Sequence, residues 1–370
     1  VEEKVMAERI PESVGAANPY AIAELKMGKS INWKRVASPR ALLEKTLGMP
    51  YEKLFDPKHN SPVYAGLAFD RDQRTMVKAL AVGKTATLPV QVEAICWVDP
   101  GDFFEDGAEM TDPVQGGVGD CYFIAALSSV AWSRTYVVAQ RSAVGPTGPK
   151  DMIEFFKQGA PSSKVQITEE LPLQSPGNNF IYARSADPGE IWPAVYEKAY
   201  TKWRTNDPGD RPAYASIAGG DPVGACYALM GGVPSYFSTA QLAPGDIWKK
   251  VRENSISYKA FNPMVAWTYP SGDVSPDKVN YDTAHLAANH AYSIFGWAFA
   301  NNKMYLVVRN PWGTYESTLN PEITSWVAWD APYMGGPGWW RTISMATPDG
   351  IFAIEVEAFK KYFAGFGFVK

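Results

Sequence analysis

Gln115-Gly116-Gly117-Val118-Gly119-Asp120-Cys121-Tyr122-Phe123-Ile124-Ala125-Ala126-Leu127-Ser128-Ser129-Val130-Ala131 runs from a glycine-rich turn into a helix. Its apolar positions 123, 124, 127, 130 and 131 recur at spacings of three and four, which is one face of an α-helix. Gly119-Asp120 sets Cys121 in the first turn. The unpaired amides there, and the positive end of the helix dipole, predict a lowered thiol pKa. A lone cysteine at a helix start is usually a small core residue. Here the glycines, which let a second backbone come close, and Gln115 just upstream favour a nucleophile instead.

A thiolate nucleophile needs a base within hydrogen-bond reach and a group that orients the base. The histidines are His59, His285 and His290. His290 opens the apolar run Ala291–Trp297, Asn301-Asn302-Lys303 reads as a turn, and Met304–Asn310 returns as a second strand. A hairpin turning near residue 301 brings the start of the first strand beside the end of the second, so His290 and Asn310 become neighbours. Taken singly, His290 reads as a satisfied core histidine and Asn310 as a strand-ending residue before Pro311. Their joint placement favours an imidazole whose tautomer is fixed by an amide.

The rest of the chain bounds what this constellation can belong to. At 370 residues, 46% hydrophobic and 20% charged, the chain is globular with a sizeable core and has room for two domains. A net charge of −4 argues against nucleic acid or an anionic membrane as general partner, since both need clustered positive charge. No apolar run is long enough for a membrane span. Three cysteines (Cys96, Cys121, Cys226) form no disulfide framework, and no CxxC or HxxxH pair suggests zinc. No targeting segment is legible, which leaves cytoplasmic and secreted locations both open.

Residues 38–48 carry a complete helix signature: Ser38 as N-cap, Pro39 at the first helical position, Gly48 just past the end. Thr75–Val82 and Leu88–Val98 read as short strands. Asp-Pro-Gly occurs at 99–101, 187–189 and 207–209 and reads as a turn each time. Met27-Gly28-Lys29-Ser30 ends like a phosphate-binding loop, but the first required glycine falls on Ala23, so that reading fails.

With these residues in place, the chain resembles the calpains, cysteine proteases with a papain-like core. The resemblance spans about residues 98–370. It rests on Gln115–Cys121, Trp192–Tyr200, Gly231–Val233, His290–Ser293, Arg309–Gly313 and the closing Asp349-Gly350-Ile351-Phe352. It implies Cys121 as nucleophile, His290 as base and acid, Asn310 as the orienting residue, Gln115 as oxyanion-hole donor, and Trp312 as a shield over the triad. The implied fold is α+β, a helical cysteine-bearing half and an antiparallel β-sheet half, with an additional N-terminal region. The expected division is 1–90 as an accessory or inhibitory region, 91–219 as the first half of the core and 220–370 as the second. The implied activity is hydrolysis of peptide bonds in protein or peptide substrates through a thioester acyl-enzyme. The alternatives are a catalytically silent peptide-binding module of the same fold, or an acyltransferase of the transglutaminase type, which normally carries Asp as third member.

The resemblance also implies calcium as a regulator, with no cofactor needed for the chemistry. The counterparts of the family's first-half calcium site are the carbonyls of Glu105 and Gly107 and the carboxylates of Asp112 and Glu190, a hard-oxygen set suited to Ca²⁺; solvated turn carboxylates are the bland reading. The second-half site keeps Glu316 and Asp349 but has Ile351 where a Glu is expected. That Glu pairs with an Arg in the family, and Met110 stands at the Arg position. Two apolar residues in place of a charged latch predict a weakened calcium dependence. Tyr122 replaces the usual Trp, residues 1–90 match no part of the family, and no EF-hand module is found in the sequence.

Overall fold

The computed structural model describes residues 14–59, 61–65, 68–69, 76–81, 84–86, 94–143, 151–175, 178–330 and 338–370. Helices α1 (Pro19–Met27) and α2 (Pro39–Leu47) begin the chain. α2 has the caps its sequence predicts: Ser38 accepts from the Ala41 amide, Pro39 opens the helix, and Gly48 leaves it at φ 71°. Apolar residues of this region (Ile22, Leu25, Leu43, Leu47, Leu54, Phe55) pack in one cluster with Val118, Tyr182, Trp312 and Tyr315. The N-terminal helices are therefore folded onto the core around the predicted site.

Helix α3 (Cys121–Ser133) is buried along all residues from Cys121 to Trp132, not on one face alone. A helix apolar all round belongs inside, and polar bonds pin it there. Ser129 Oγ donates to the Met264 carbonyl and accepts from the Met264 amide, both at 2.8 Å, and Ser293 Oγ donates to the Ala125 carbonyl at 2.7 Å. Helices α4 (Trp192–Thr205) and α5 (Pro222–Met230) flank it, with Tyr200 stacked on Phe123 at 4.0 Å between ring centroids.

The chain after α5 builds a sheet of β1 (Pro234–Ser238), β2 (Lys259–Thr268), β3 (Ala291–Ala300), β4 (Lys303–Arg309), β5 (Ile351–Glu355) and β6 (Phe363–Val369). Its order is β1-β6-β2-β3-β4-β5, antiparallel throughout, and Ser255–Ile256 adds a short pairing to β2. Met264, Ile294, Leu306, Val308, Ile354 and Phe366 share its core. The mixture of helices and antiparallel sheet is the α+β class expected. Of the strands read near the N-terminus, Met76–Ala81 and Ala94–Val98 form, the latter pairing with Leu171–Ser175; residues 75, 82 and 88–93 lie outside the described residues.

Candidate active site

Cys121 is the first residue of α3 and is completely buried. His290 immediately precedes β3, and Asn310 immediately follows β4. The hairpin pairs Ser293 with Arg309, so the two ends meet as the turn predicted. His290 Nε2 lies 2.9 Å from Asn310 Oδ1. That oxygen only accepts, so Nε2 carries the proton and Nδ1 is left as the basic nitrogen. Among the described residues Nδ1 has no hydrogen-bond partner. The Cys121 sulfur lies against the backbone amide of Ala291, the residue after His290.

Each partner is itself held. The His290 amide donates to Thr268 Oγ1 at 3.0 Å, and the Thr268 amide donates to the His290 carbonyl at 3.0 Å. Asn310 Oδ1 also accepts from the Trp312 amide at 3.1 Å, while its Nδ2 donates to the Tyr315 carbonyl at 3.3 Å. Trp312 covers the imidazole, with ring centroids 4.5 Å apart, and is buried beneath Phe55. Gln115 is buried and its Nε2 donates to the carbonyls of Ala16 and Val118, both at 2.7 Å.

The expected lowering of the thiol pKa does not occur. Burial pushes the Cys121 thiol up to about 12 and the His290 imidazole down to about 3. Desolvation of the charged forms outweighs the helix dipole, so the pair rests as neutral thiol and neutral imidazole. The sequence shows the helix end but not what covers it. Beneath Cys121, the Asp120 carboxyl is raised to about 7, chiefly by burial, and Glu197 beside it is raised further. As two carboxylates neither has a donor for the other, so burial and their mutual charge favour a protonated form of the pair. Sequence reasoning passed over Glu197; it lies inside the Trp192–Tyr200 motif.

Of the expected cation ligands, Asp112 and Glu190 are brought together, and Asp187 joins them, with one oxygen from each within 4.8 Å of the others. Asp112 Oδ2 accepts from the Trp192 indole at 3.0 Å and the Glu109 amide at 2.6 Å; its Oδ1 is buried without a partner. The Glu105 amide donates to Glu190 Oε1 at 3.3 Å, which places the loop of Glu105 and Gly107 against the cluster. Asp187 was missed, although it opens the Asp-Pro-Gly turn that leads into Glu190. Among the described residues, Glu316 and Asp349 are not joined by a third such ligand. Met110 and Ile351 are both buried and share one apolar cluster with Trp132, Phe295 and Trp326. No described helix is long and apolar enough to cross a membrane.

The profile of the calpain family cysteine proteases matches residues 83–369. A thiol protease of Porphyromonas gingivalis is 28% identical over 269 residues, covering 68% of this chain and 53% of that protein. Calpain-9 of Rattus norvegicus is 28% identical over 294 residues, covering 72% of this chain and 38% of that protein. The calpain-1 catalytic subunit of Macaca fascicularis is 28% identical over 232 residues, covering 58% and 29%. The chain thus spans about half the length of the first of these relatives and less of the others. A profile match over most of the chain, with cysteine, histidine and asparagine in the elements described, places it in the calpain family of cysteine proteases.

Proposed function

We propose that this chain is a cysteine endopeptidase that hydrolyses peptide bonds in protein substrates, with Cys121, His290, Asn310 and Gln115 as its catalytic residues. The observation that carries the reading is the 2.9 Å bond from His290 Nε2 to Asn310 Oδ1, which leaves Nδ1 free to take the thiol proton. Cys121 Sγ then attacks the scissile carbonyl carbon, and the C=O electrons move onto oxygen. Gln115 Nε2 and the Cys121 amide stabilise that oxyanion. His290 returns the proton to the leaving amine, the C–N bond breaks, and a thioester remains. Water, deprotonated by His290, hydrolyses the thioester and restores the thiol.

A silent binding module would normally have lost a member of this set, and a transglutaminase-type acyltransferase would carry Asp at position 310; Asn310 and the intact set favour peptidase. The halves of this core are read as 91–219 and 220–370, with 1–90 as an accessory or inhibitory region, a reading supported by the packing of its helices beside Trp312.

The Asp112, Asp187 and Glu190 carboxylates fit a calcium ion, because Asp112 Oδ1 is a buried acceptor without a donor and the set is all hard oxygen. With Glu105 and Gly107 alongside, these residues would hold Ca²⁺ as a regulator that stiffens the loop leading to Gln115. The test of the activity is direct. A peptidyl epoxide probe should label Cys121, and Cys121→Ser should keep the fold and lose casein cleavage. Unchanged cleavage by Cys121→Ser would overturn the assignment.

A further inference from the structure

The cleft over Cys121 is filled by the chain itself. The Val14 amide donates to the Gly220 carbonyl at 2.9 Å, and the Gly220 amide donates to the Val14 carbonyl at 3.0 Å, an antiparallel pair. Two residues on, the Ala16 carbonyl accepts from Gln115 Nε2 at 2.7 Å, the donor assigned above to the oxyanion. The Ala16 backbone lies against the Cys121 sulfur. Ala16, Ala17 and Cys121 are all fully buried. The segment is anchored beyond the thiol as well. The Ala17 amide donates to the Val63 carbonyl at 2.6 Å, and Asn18 Nδ2 donates to the Gln115 carbonyl at 2.8 Å and the Trp312 carbonyl at 3.4 Å.

Gly15 sits between these contacts. A Cβ at position 15 would stand 2.7 Å from the Gly119 oxygen, 2.7 Å from Gly219 Cα and 2.8 Å from Gly219 N. All three are backbone atoms, so no rotamer change relieves the clash. Both walls are themselves glycines, and the Gly219 amide donates to the Gly119 carbonyl at 2.8 Å, which fixes them to each other.

We propose that Val14–Ala17 is a tethered pseudosubstrate, and that the subsite between Gly119 and Gly219 selects glycine in peptides bound at Cys121. The proposal rests on the peptidase reading above and names its substrate class: an extended segment with its backbone paired to Gly220, then glycine, then a small residue. It also names a form of regulation: no other peptide can reach the thiol while the segment is seated, and labelling or cleavage by the unaltered chain reports the fraction in which the segment is released. The Ala16 backbone lies against the Cys121 sulfur, and Trp312, which covers His290, packs in one cluster with Ala16 and Ala17.

The full-length chain carries the test. Alkylation of Cys121 by iodoacetamide is followed by peptide mass, which separates it from Cys96 and Cys226. Gly15→Ala adds only a methyl group, but against fixed backbone, and should unseat the segment. Labelling of Cys121 should then rise by about ten-fold or more, with the circular dichroism spectrum unchanged. Added to Gly15→Ala protein, the free peptide Val-Gly-Ala-Ala-Asn should slow labelling, and Val-Ala-Ala-Ala-Asn should not. The two peptides do not depend on how the variant folds elsewhere. Equal labelling of wild type and Gly15→Ala would overturn the occlusion, and equal protection by both peptides would overturn glycine selection. An active wild type with labelling unmoved by Gly15→Ala leaves the peptidase reading standing and ends this one. Labelling that rises in Gly15→Ala without any peptide hydrolysis upholds the occlusion and ends the peptidase reading.

Discussion

Asn310 Oδ1 accepts twice, from His290 Nε2 and from the Trp312 amide, and so couples the base to its cover. Asn310→Ala frees the imidazole to rotate or change tautomer. Peptide hydrolysis should fall by roughly 10²–10⁴-fold, mainly in kcat, as read from steady-state kinetics on one peptide. The buried Asp120–Glu197 pair makes a different prediction. Its carboxyl pKa values are raised by burial first, and for Glu197 next by the Asp120 charge. The folded state therefore holds protons that the unfolded chain releases above its ordinary carboxyl range. Stability from Asp120 is full below about pH 4 and is lost as pH rises through about 7, and Glu197 is raised in the same direction. Glu197→Gln supplies a neutral donor to Asp120, so the drop in Tm between about pH 5 and pH 8 should shrink; an unaltered drop would place the titration elsewhere. At this scale the sequence was legible for residues whose chemistry announces itself. Cys121, His290 and Asn310 fall at the ends of elements with strong local signals. Glu197 and Asp187 do not stand out, because an acid in a helix or turn is ordinarily solvated, and only the packing of other elements buries or gathers them.

At the level of elements, local rules and long-range packing separate cleanly. The α2 caps and the β3–β4 hairpin could be read because serine, proline, glycine and the Asn-Asn turn act on neighbours in sequence. The two Asn residues of that turn have φ 50° and 60°, the left-handed values such a turn needs. The segment from Val14 to Asn18 could not be read, since Val-Gly-Ala-Ala has no helical or strand period and its partners, Val63, Gln115, Gly220 and Trp312, are all remote in sequence. Asn18 is the hinge of that arrangement. Its Oδ1 caps α1 by accepting from the Tyr20 and Ala21 amides at 3.0 and 3.4 Å, while its Nδ2 grips the backbone beside the site. Asn18→Ala removes the cap and leaves the buried Gln115 carbonyl without this donor. Global stability should drop by about 1–3 kcal/mol, measured from the urea midpoint at constant m. A change below a few tenths would show that α1 is held by its apolar face alone.

Across the whole molecule the antiparallel sheet is joined to the segment before α3 by both polar and apolar contacts. Arg309, buried at the end of β4, donates to the carbonyls of Thr111 at 2.7 Å and Pro113 at 2.8 Å, and to Ser128 Oγ at 3.2 Å. It thereby ties the sheet to the loop that runs from the acidic cluster to Gln115. Met110 and Ile351 add an apolar contribution in one shared cluster, which needs no ion to form. A bound cation would therefore act on a core already assembled, and its effect should appear first in the carboxylates that hold it. Burial raises Asp112 to about 8, with the charges of Glu190 and Asp187 adding to the rise, and Glu190 is raised as well. Without a cation the cluster keeps protons that it would lose in the unfolded chain, and that stabilisation disappears as pH rises through about 8. Calcium must displace those protons, so its binding releases them and strengthens with pH. Millimolar calcium should raise Tm little at about pH 6 and more at about pH 8, levelling off above that. Asp112→Asn removes both the titration and a ligand charge, so the calcium-dependent rise should vanish at every pH while the protein stays folded. If the rise is the same at both pH values, or survives Asp112→Asn, the ion binds somewhere other than this cluster.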